Sequence, residues 1–291
     1  MKGYLATLVV VLSLLSTQAY AQSCSSDERE VLALLDRVVH GTTKPNFAAR
    51  ALVQTAVGSQ QIIVSHGASG EQSGYSVRVP THSAQCPDKS HQLLLTANEG
   101  CGVAQWYKLD MRTETAGGRQ TQIVTAVPRD FYRHGFQLVV DQKTQIVLRS
   151  TTFTQGSALE NIELQSLSVS TAAPASEAAD DNPLGLQASP VADFGWSPSW
   201  VPSGFLQSAG TVGAIDTQTF TDGLSSFSIF VERPEAEIRK GEGRVSRGAT
   251  VSYVRGMNSP LGPRLVTVVG EIPVNTARMV VEGIDWSRDA Q

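Results

Sequence analysis

The sequence predicts an α+β chain: an N-terminal antiparallel sheet with helices, a linker, and a smaller C-terminal antiparallel sheet with one helix. Three observations predict it. Apolar residues alternate with polar ones in short runs between residues 52 and 170. Residues 171–193 then turn to Ala, Pro, Ser and Asp with almost no aliphatic period. Alternation returns after Trp196 and gives way to a helical pattern near the end. Period two marks half-buried strands, and consecutive short strands with turns between them make antiparallel sheets.

The elements follow in order. Lys2 precedes an apolar run over 8–15 that only Ser13 interrupts, and Ala19-Tyr20-Ala21 is an A-x-A cleavage site. That pattern is a signal peptide over 1–21, too short to span a bilayer, with the mature chain starting at Gln22. Export places the chain in an oxidising compartment. Residues 25–40 read as a helix: Asp27, Glu28 and Glu30 favour its first turn, and Val31, Leu34, Leu35 and Val38 share one face. Gly41 follows as a stop.

Tyr107, Leu109 and Met111 alternate with Lys108, Asp110 and Arg112, and Thr121, Ile123, Thr125 and Val127 form a second run. Gly117-Gly118 is the hairpin turn between them. A further hairpin joins 136–140 to 146–150 through 141–144, and 160–170 is one more strand. The N-terminal unit therefore covers 22–170, the linker 171–195, and the C-terminal unit 196–291. In the latter, Asp222-Gly223 separates 217–221 from Phe227, Ile229 and Val231, a strong hairpin signal. Strands at 251–253 and 264–269 precede a closing helix whose apolar face is Ala277, Val280, Val281 and Ile284.

Composition excludes several classes. With 41% hydrophobic residues the chain buries a core, and disorder throughout is ruled out. A net charge of −4 argues against nucleic acid as partner. No G-x-S-x-G, P-loop or H-E-x-x-H occurs; His66-Gly67-Ala68-Ser69-Gly70 reads as a surface turn, and Gly241-x-Gly243 with Gly248 as a hairpin or loop tip. Asp110, Asp141 and Glu163 fall on outward faces or turns and read as solvated. No catalytic residue is assigned, and no cofactor. His82, Cys86, His91 and Cys101 lack the spacing of a compact zinc motif, so no metal site is assigned. A Cys86–Cys101 disulfide is the favoured pairing, with Cys24 left over; the alternative pairs Cys24 with one of the other two.

Longer motifs carry a family resemblance. Trp200-Val201-Pro202-Ser203-Gly204-Phe205 resembles the W-x-L-P-x-G-F opening of the small domain in the MucB/RseB family. The run from Thr219 through Asp222, Gly223 and Phe227 to Glu232 is similar to that family's SDGLAxxSVFxE hairpin, and the stretch 266–273 continues in order. In the N-terminal unit, 128–138 with Arg129, Tyr132, Arg133 and Phe136 resembles PRDxxRYGYxLW; Asp141, Thr144, Leu148, Arg149 and Ser150 follow as a DxxTGLPLRS hairpin would. The shared order covers about 104–170 and 196–285. Residues 41–103 look shortened and match poorly, and His134 and Gln145 stand where the family tends to have Tyr and Gly.

The resemblance implies a LolA-like half-barrel in the N-terminal unit. It implies a periplasmic negative regulator of an envelope-stress sigma factor, not an enzyme. Its partner would be the periplasmic domain of a RseA/MucA-like membrane anti-sigma factor, which it shields from proteolysis and releases when lipopolysaccharide or lipoprotein acyl chains bind. A LolA-type lipid or lipoprotein carrier is the alternative, and homo-oligomerisation stays open. Aromatic and Arg side chains beside turns are enriched at binding hot spots. Arg129, Tyr132, Arg133, Phe136, Asp222, Gly223 and Phe227 are therefore expected at the partner surface or the domain interface. Tyr132 and Phe136 as core, and Asp222-Gly223 as a plain turn, are equally open. If Arg133 and Tyr132 face the partner, their replacement by Ala weakens binding without unfolding.

Overall fold

The computed structural model describes residues 24–40, 45–66, 75–78, 101–170, 194–234, 241–260 and 262–287. The signal segment with Ala19 and Ala21, most of the linker, and His82, Cys86 and His91 lie outside the described residues.

The helix α1 (Ser26–His40) comes first. Then follow β1 (Asn46–Thr55), β2 (Gly58–His66), β3 (Tyr75–Arg78) and, after a 3-10 turn at Gly102–Gln105, β4 (Tyr107–Ala116) and β5 (Arg119–Pro128). The strands β6 (Gly135–Asp141), β7 (Val147–Thr154) and β8 (Ser157–Ser170) complete the set. They form one antiparallel eight-stranded sheet in the order β3-β2-β1-β8-β7-β6-β5-β4. From β4 to β8 it is a meander, because each turn is short; β1 then adds beside β8.

α1 lies over one end of this sheet. Val31, Leu34, Leu35 and Val38, the four positions of its apolar face, are buried with Tyr107, Leu109, Val124, Ala126, Phe136 and Val140. Gly117 and Gly118 both take positive φ (57° and 76°), as a two-residue hairpin turn requires. In β5 the sequence reading chose only part of the buried set. Thr121 and Ile123 are buried, but so are Val124 and Ala126 on the opposite face, while Val127 is exposed. β5 lies inside the sheet, with α1 over one of its faces, so strict alternation breaks down.

Asp141 is also a correction. It is buried rather than solvated. One carboxylate oxygen accepts the N–H of Lys143 and the N–H and hydroxyl of Thr144, and the other meets Arg119 Nη1 at 3.1 Å. Burial pushes the carboxyl up, but these donors outweigh it and hold it below its ordinary value.

Cys101 bonds to Cys24, across 77 residues, and not to Cys86. Cys24 stands just before α1 and Cys101 just before the 3-10 turn; α1 packs against that turn, which brings the two Cα atoms within 5.3 Å. The bond therefore ties the helix to the sheet it covers.

The second sheet has six strands in the order β10-β11-β12-β15-β14-β13. These are β10 (Leu206–Thr211), β11 (Ile215–Thr221), β12 (Ser226–Glu232), β13 (Glu242–Arg247), β14 (Thr250–Ser259) and β15 (Gly262–Gly270). β9 (Trp196–Pro198) pairs separately with β16 (Ile284–Trp286). Helix α2 (Val274–Glu282) presents Ala277, Val280 and Val281 to β14 and β15, in a core with Phe205, Phe220, Phe227, Ile229, Val251, Tyr253 and Val268. Ile284, expected on that helix, is buried on β16 instead, because α2 ends at Gly283.

Candidate functional site: an arginine-centred joint between the sheets

The segment between β5 and β6 leaves the first sheet and reaches the second. Asp130 Oδ1 accepts the N–H of Tyr132, a local turn that turns Arg133 inward. The Arg133 side chain has no exposed surface. Nε and Nη2 meet the two carboxylate oxygens of Asp130 at 3.1 and 3.0 Å. Nη2 also donates to the carbonyl of Ser203 at 2.6 Å, and Nη1 to Asp222 Oδ2 at 2.7 Å. The guanidinium carbon lies 5.4, 5.6 and 5.1 Å from the ring centres of Trp106, Tyr107 and Phe205, close enough for cation–π attraction. A buried cation is tolerable only with this density of partners.

Asp222 receives as many donors. Its Oδ1 accepts the N–H groups of Leu224 and Ser225, and Oδ2 accepts Arg133 and the Tyr107 hydroxyl at 3.0 Å. Asp222-Gly223 thus does connect β11 to β12, but through a four-residue loop built on the Asp side chain. Gly223 takes φ 101° in it. Burial pushes the Asp222 carboxyl up; the Ser225 and Leu224 N–H groups, Arg133 and Tyr107 pull it back. Four donors on its two oxygens favour the charged carboxylate, against the burial that on balance holds the group above its ordinary value. Tyr107, buried and facing that charge, is pushed well above its ordinary value and remains a donor.

Around this pair the sheets share further contacts. Thr276 Oγ1 donates to the Tyr132 carbonyl at 3.1 Å, and the Tyr132 ring meets Trp200 edge-on at 5.1 Å. The His134 ring donates to the Ile272 carbonyl, while its buried Nδ1 has no partner among the described residues. Burial lowers His134 to about 4, so it is neutral. Gly204, at φ +88°, stacks its backbone on Trp106; a Cβ there would lie 2.2 Å from the indole. Leu224 packs into the core beneath α1. A second seam joins Arg247 Nη2 to Gln60 Oε1 at 2.6 Å and sets Glu160 beside Ala249 and Gly248.

The expected site residues divide accordingly. Arg133, Asp222 and Gly223 form the joint. Phe136 and Phe227 are core side chains, the first beside Tyr107 and the second stacked on Phe220. Tyr132 is half-buried against Trp200, and Arg129 is exposed, reaching the Ala104 carbonyl and Glu28. Because Arg133 is buried against Asp222, Arg133→Ala would strand that carboxylate in the interior and is expected to cost stability as well as any partner binding. Residue-level reasoning passed over Trp106, Tyr107, Asp130, Ser203 and Thr276. Ser203, Gly204 and Phe205 lay in plain view in the W-x-P-x-G-F run, whose backbone and rings line the joint.

These features define a class: two antiparallel sheets, each with its own helix and core, locked by a buried ion pair. Among the described residues no group of three metal-ligating side chains occurs, and no helix is long and apolar enough to cross a membrane. Comparison with known proteins gives the particular family. The MucB/RseB N-terminal domain matches residues 71–182 and the MucB/RseB C-terminal domain residues 190–285. The chain belongs to the MucB/RseB family. The N-terminal match takes in 71–103, which the motif reading had left outside the resemblance.

Among its relatives, the sigma factor AlgU regulatory protein MucB of Pseudomonas aeruginosa is 32% identical over 203 residues, spanning 65% of this chain and 64% of that protein. The sigma-E factor regulatory protein RseB of Salmonella typhimurium is 27% identical, over 58% of this chain and 55% of that protein. The chain thus matches less than two thirds of the length of these relatives. Two solved structures share the fold. The Pseudomonas aeruginosa MucA/MucB complex has a TM-score of 0.64 at 22% identity, covering 89% of this chain and 99% of that one. MucB in complex with MucA(peri) has 0.64 at 24%, covering 90% and 99%.

Proposed function

We propose that this chain is a periplasmic negative regulator of an envelope-stress sigma factor. It binds the periplasmic part of a membrane anti-sigma factor and shields it from proteolysis, and lipopolysaccharide or lipoprotein acyl chains release it. The protein is exported and cleaved before Gln22. It acts by binding, with no catalytic residue and no cofactor.

One observation carries this reading: both halves of the chain match the two domains of a family whose named members are sigma factor regulatory proteins. The joint gives the reading a physical basis. A regulator that answers a ligand needs two states of different partner affinity. Two sheets held by one polar joint and a smaller seam supply an element that can change orientation. In this view Arg133, Asp222, Gly223, Phe136 and Phe227 fix the orientation that presents the partner surface, and Arg129 and Tyr132 at its rim touch the partner.

The test is protease protection. The periplasmic segment of an anti-sigma factor is digested with and without the mature chain, then with lipopolysaccharide added. Slower cleavage that lipopolysaccharide restores is the expected result. Cleavage at an unchanged rate overturns the reading.

A further inference from the structure

We propose that β13, an edge of the second sheet, takes up an extended segment of another protein as a seventh strand, and that this segment carries an acidic residue between two apolar ones. β13 ends the strand order, and among the described residues no strand pairs with its outer side. It lies three strands from β12, about 14 Å across the sheet, so this surface is separate from the Arg133–Asp222 joint.

The register shows which backbone groups the edge offers. Arg247 and Thr250 face each other across the two-residue turn at Gly248 and Ala249. Such a turn closes on a hydrogen-bonded pair, and bonded and non-bonded pairs then alternate along the ladder. Val245 and Gly243 therefore bond to β14. The alternation holds at the far end, where the Gly256 N–H donates to the Gly241 carbonyl at 3.4 Å. The N–H and C=O groups of Glu242, Arg244 and Ser246 point the other way, off the sheet. No register shift and no proline interrupts them. The opposite edge differs. β10 is broken by a register shift between Gln207 and Ala209, and Phe194 lies against Gly210, where a Cβ would meet its ring at 2.8 Å. Bulges and covers of this kind keep other strands off a sheet edge; β13 carries charge instead.

The side chains select the strand that fits. Arg244 is exposed, and no described residue pairs with its guanidinium. Its neighbour on β14 is Tyr253, whose hydroxyl donates to Glu242, so that carboxylate is already engaged. Gly243 and Val245 share the other face. Val245 is 70% exposed. Gly243 leaves a notch beside it, since a Cβ there would stand 3.0 Å from Val254 Cγ1. In a strand added to β13, the residue opposite Arg244 shares its face, and the residues on either side share the face of Gly243 and Val245. A carboxylate in the first position would meet Arg244. Apolar side chains in the other two would cover Val245 and reach over Gly243 onto Val254. Arg244 repels basic strands, so the same charge that guards the edge sets its specificity. Main-chain bonds give such a complex affinity, and the alternate side chains give it selectivity. This surface does not depend on the anti-sigma reading.

The test uses the mature full chain and two peptides: acetyl-Ser-Thr-Val-Glu-Val-Thr-Ser-amide and the same peptide with Lys in place of Glu. Binding is read by NMR from the backbone amides of the protein. The expected result is saturable binding of the Glu peptide, about fivefold tighter than the Lys peptide, with the amides of Arg244 and Ser246 shifting and exchanging more slowly. Ser246→Pro removes an outward N–H and no bond to β14, and is expected to weaken the Glu peptide about fivefold. Arg244→Glu, at an exposed position, is expected to reverse the preference between the two peptides. Circular dichroism checks that each variant is folded, and Arg244→Glu decides the matter by itself if Ser246→Pro does not fold. Any of three results would overturn the proposal: no saturable binding of the Glu peptide, shifts confined to residues outside β13, or a preference unchanged in Arg244→Glu. Dimers of the free chain that Ser246→Pro abolishes, with no peptide binding, would assign the edge to a second copy and overturn it as well.

Discussion

Arg133 and Asp222 are 89 residues apart in sequence and 2.7 Å apart in the fold, and neither side chain touches solvent. One comes from the connection before β6, the other from the turn that follows β11. Their pairing joins the two sheets through the interior, so the orientation of the sheets depends on a bond that water does not screen.

Breaking that pair from one side is costly. Asp222→Ala leaves a buried guanidinium with one carboxylate fewer and is expected to lower stability by about 3–5 kcal/mol. Replacing both partners with apolar side chains, Arg133→Met with Asp222→Leu, is expected to recover a large part of that loss. Urea unfolding of Arg133→Met, Asp222→Leu and the double variant checks this, and additive losses would show that the residues are not coupled.

Gln145 adopts a left-handed backbone, with φ 57°. Its side-chain oxygen is buried with no partner among the described residues. Glycine meets this conformation without steric cost, so Gln145→Gly is expected to stabilise by about 0.5–1 kcal/mol despite the freer unfolded chain. A fall in the urea midpoint would contradict this.

The Cys24–Cys101 bond closes a long loop, so reducing it is expected to cost roughly 4 kcal/mol by the chain-entropy account. Peptide mapping of unreduced protein is expected to recover 24 linked to 101 and to find Cys86 as the thiol that alkylates. A linked peptide containing Cys86 and Cys101 would overturn the pairing.

Two groups at the junction give opposite pH responses. Burial holds His134 at about 4, below its ordinary 6.5, so between these values the unfolded chain binds the extra proton. The stability from neutral His134 is therefore full above pH 6.5 and is lost toward pH 4, about 3 kcal/mol in all. Glu271 is raised by burial and then by the charge of Glu160. Its favourable contribution is present below its ordinary value of 4.5 and is lost as pH rises through the raised one. His134→Phe is expected to flatten the acid limb of the stability profile, and Glu271→Gln to stabilise at pH 7 with no effect at pH 4. Parallel profiles for wild type and variants would contradict both assignments.

Much of the fold was legible because one-sided burial writes itself into periodicity. The helix face at Val31, Leu34, Leu35 and Val38 and the Gly117-Gly118 hairpin follow from local spacing. β5 was half legible, since Thr121 and Ile123 on one face and Val124 and Ala126 on the other are all buried, which leaves no clean alternation. The disulfide was not legible, because sequence distance does not tell that α1 folds back on the 3-10 turn. The joint was legible only as residue types. Arg133 and Asp222 stand out as an Arg and an Asp beside aromatics, but composition cannot tell a buried pair from an exposed docking surface. That difference lies in Trp106, Tyr107, Phe205 and the Ser203 carbonyl, which the fold brings together from distant segments.

The measurement that tests the central claim most directly is a calorimetric titration of the mature chain with the periplasmic segment of an anti-sigma factor of the RseA/MucA type. The account expects saturable binding at micromolar Kd or tighter, weakened when lipopolysaccharide fragments are present. Absence of binding by protein shown to be folded would contradict it.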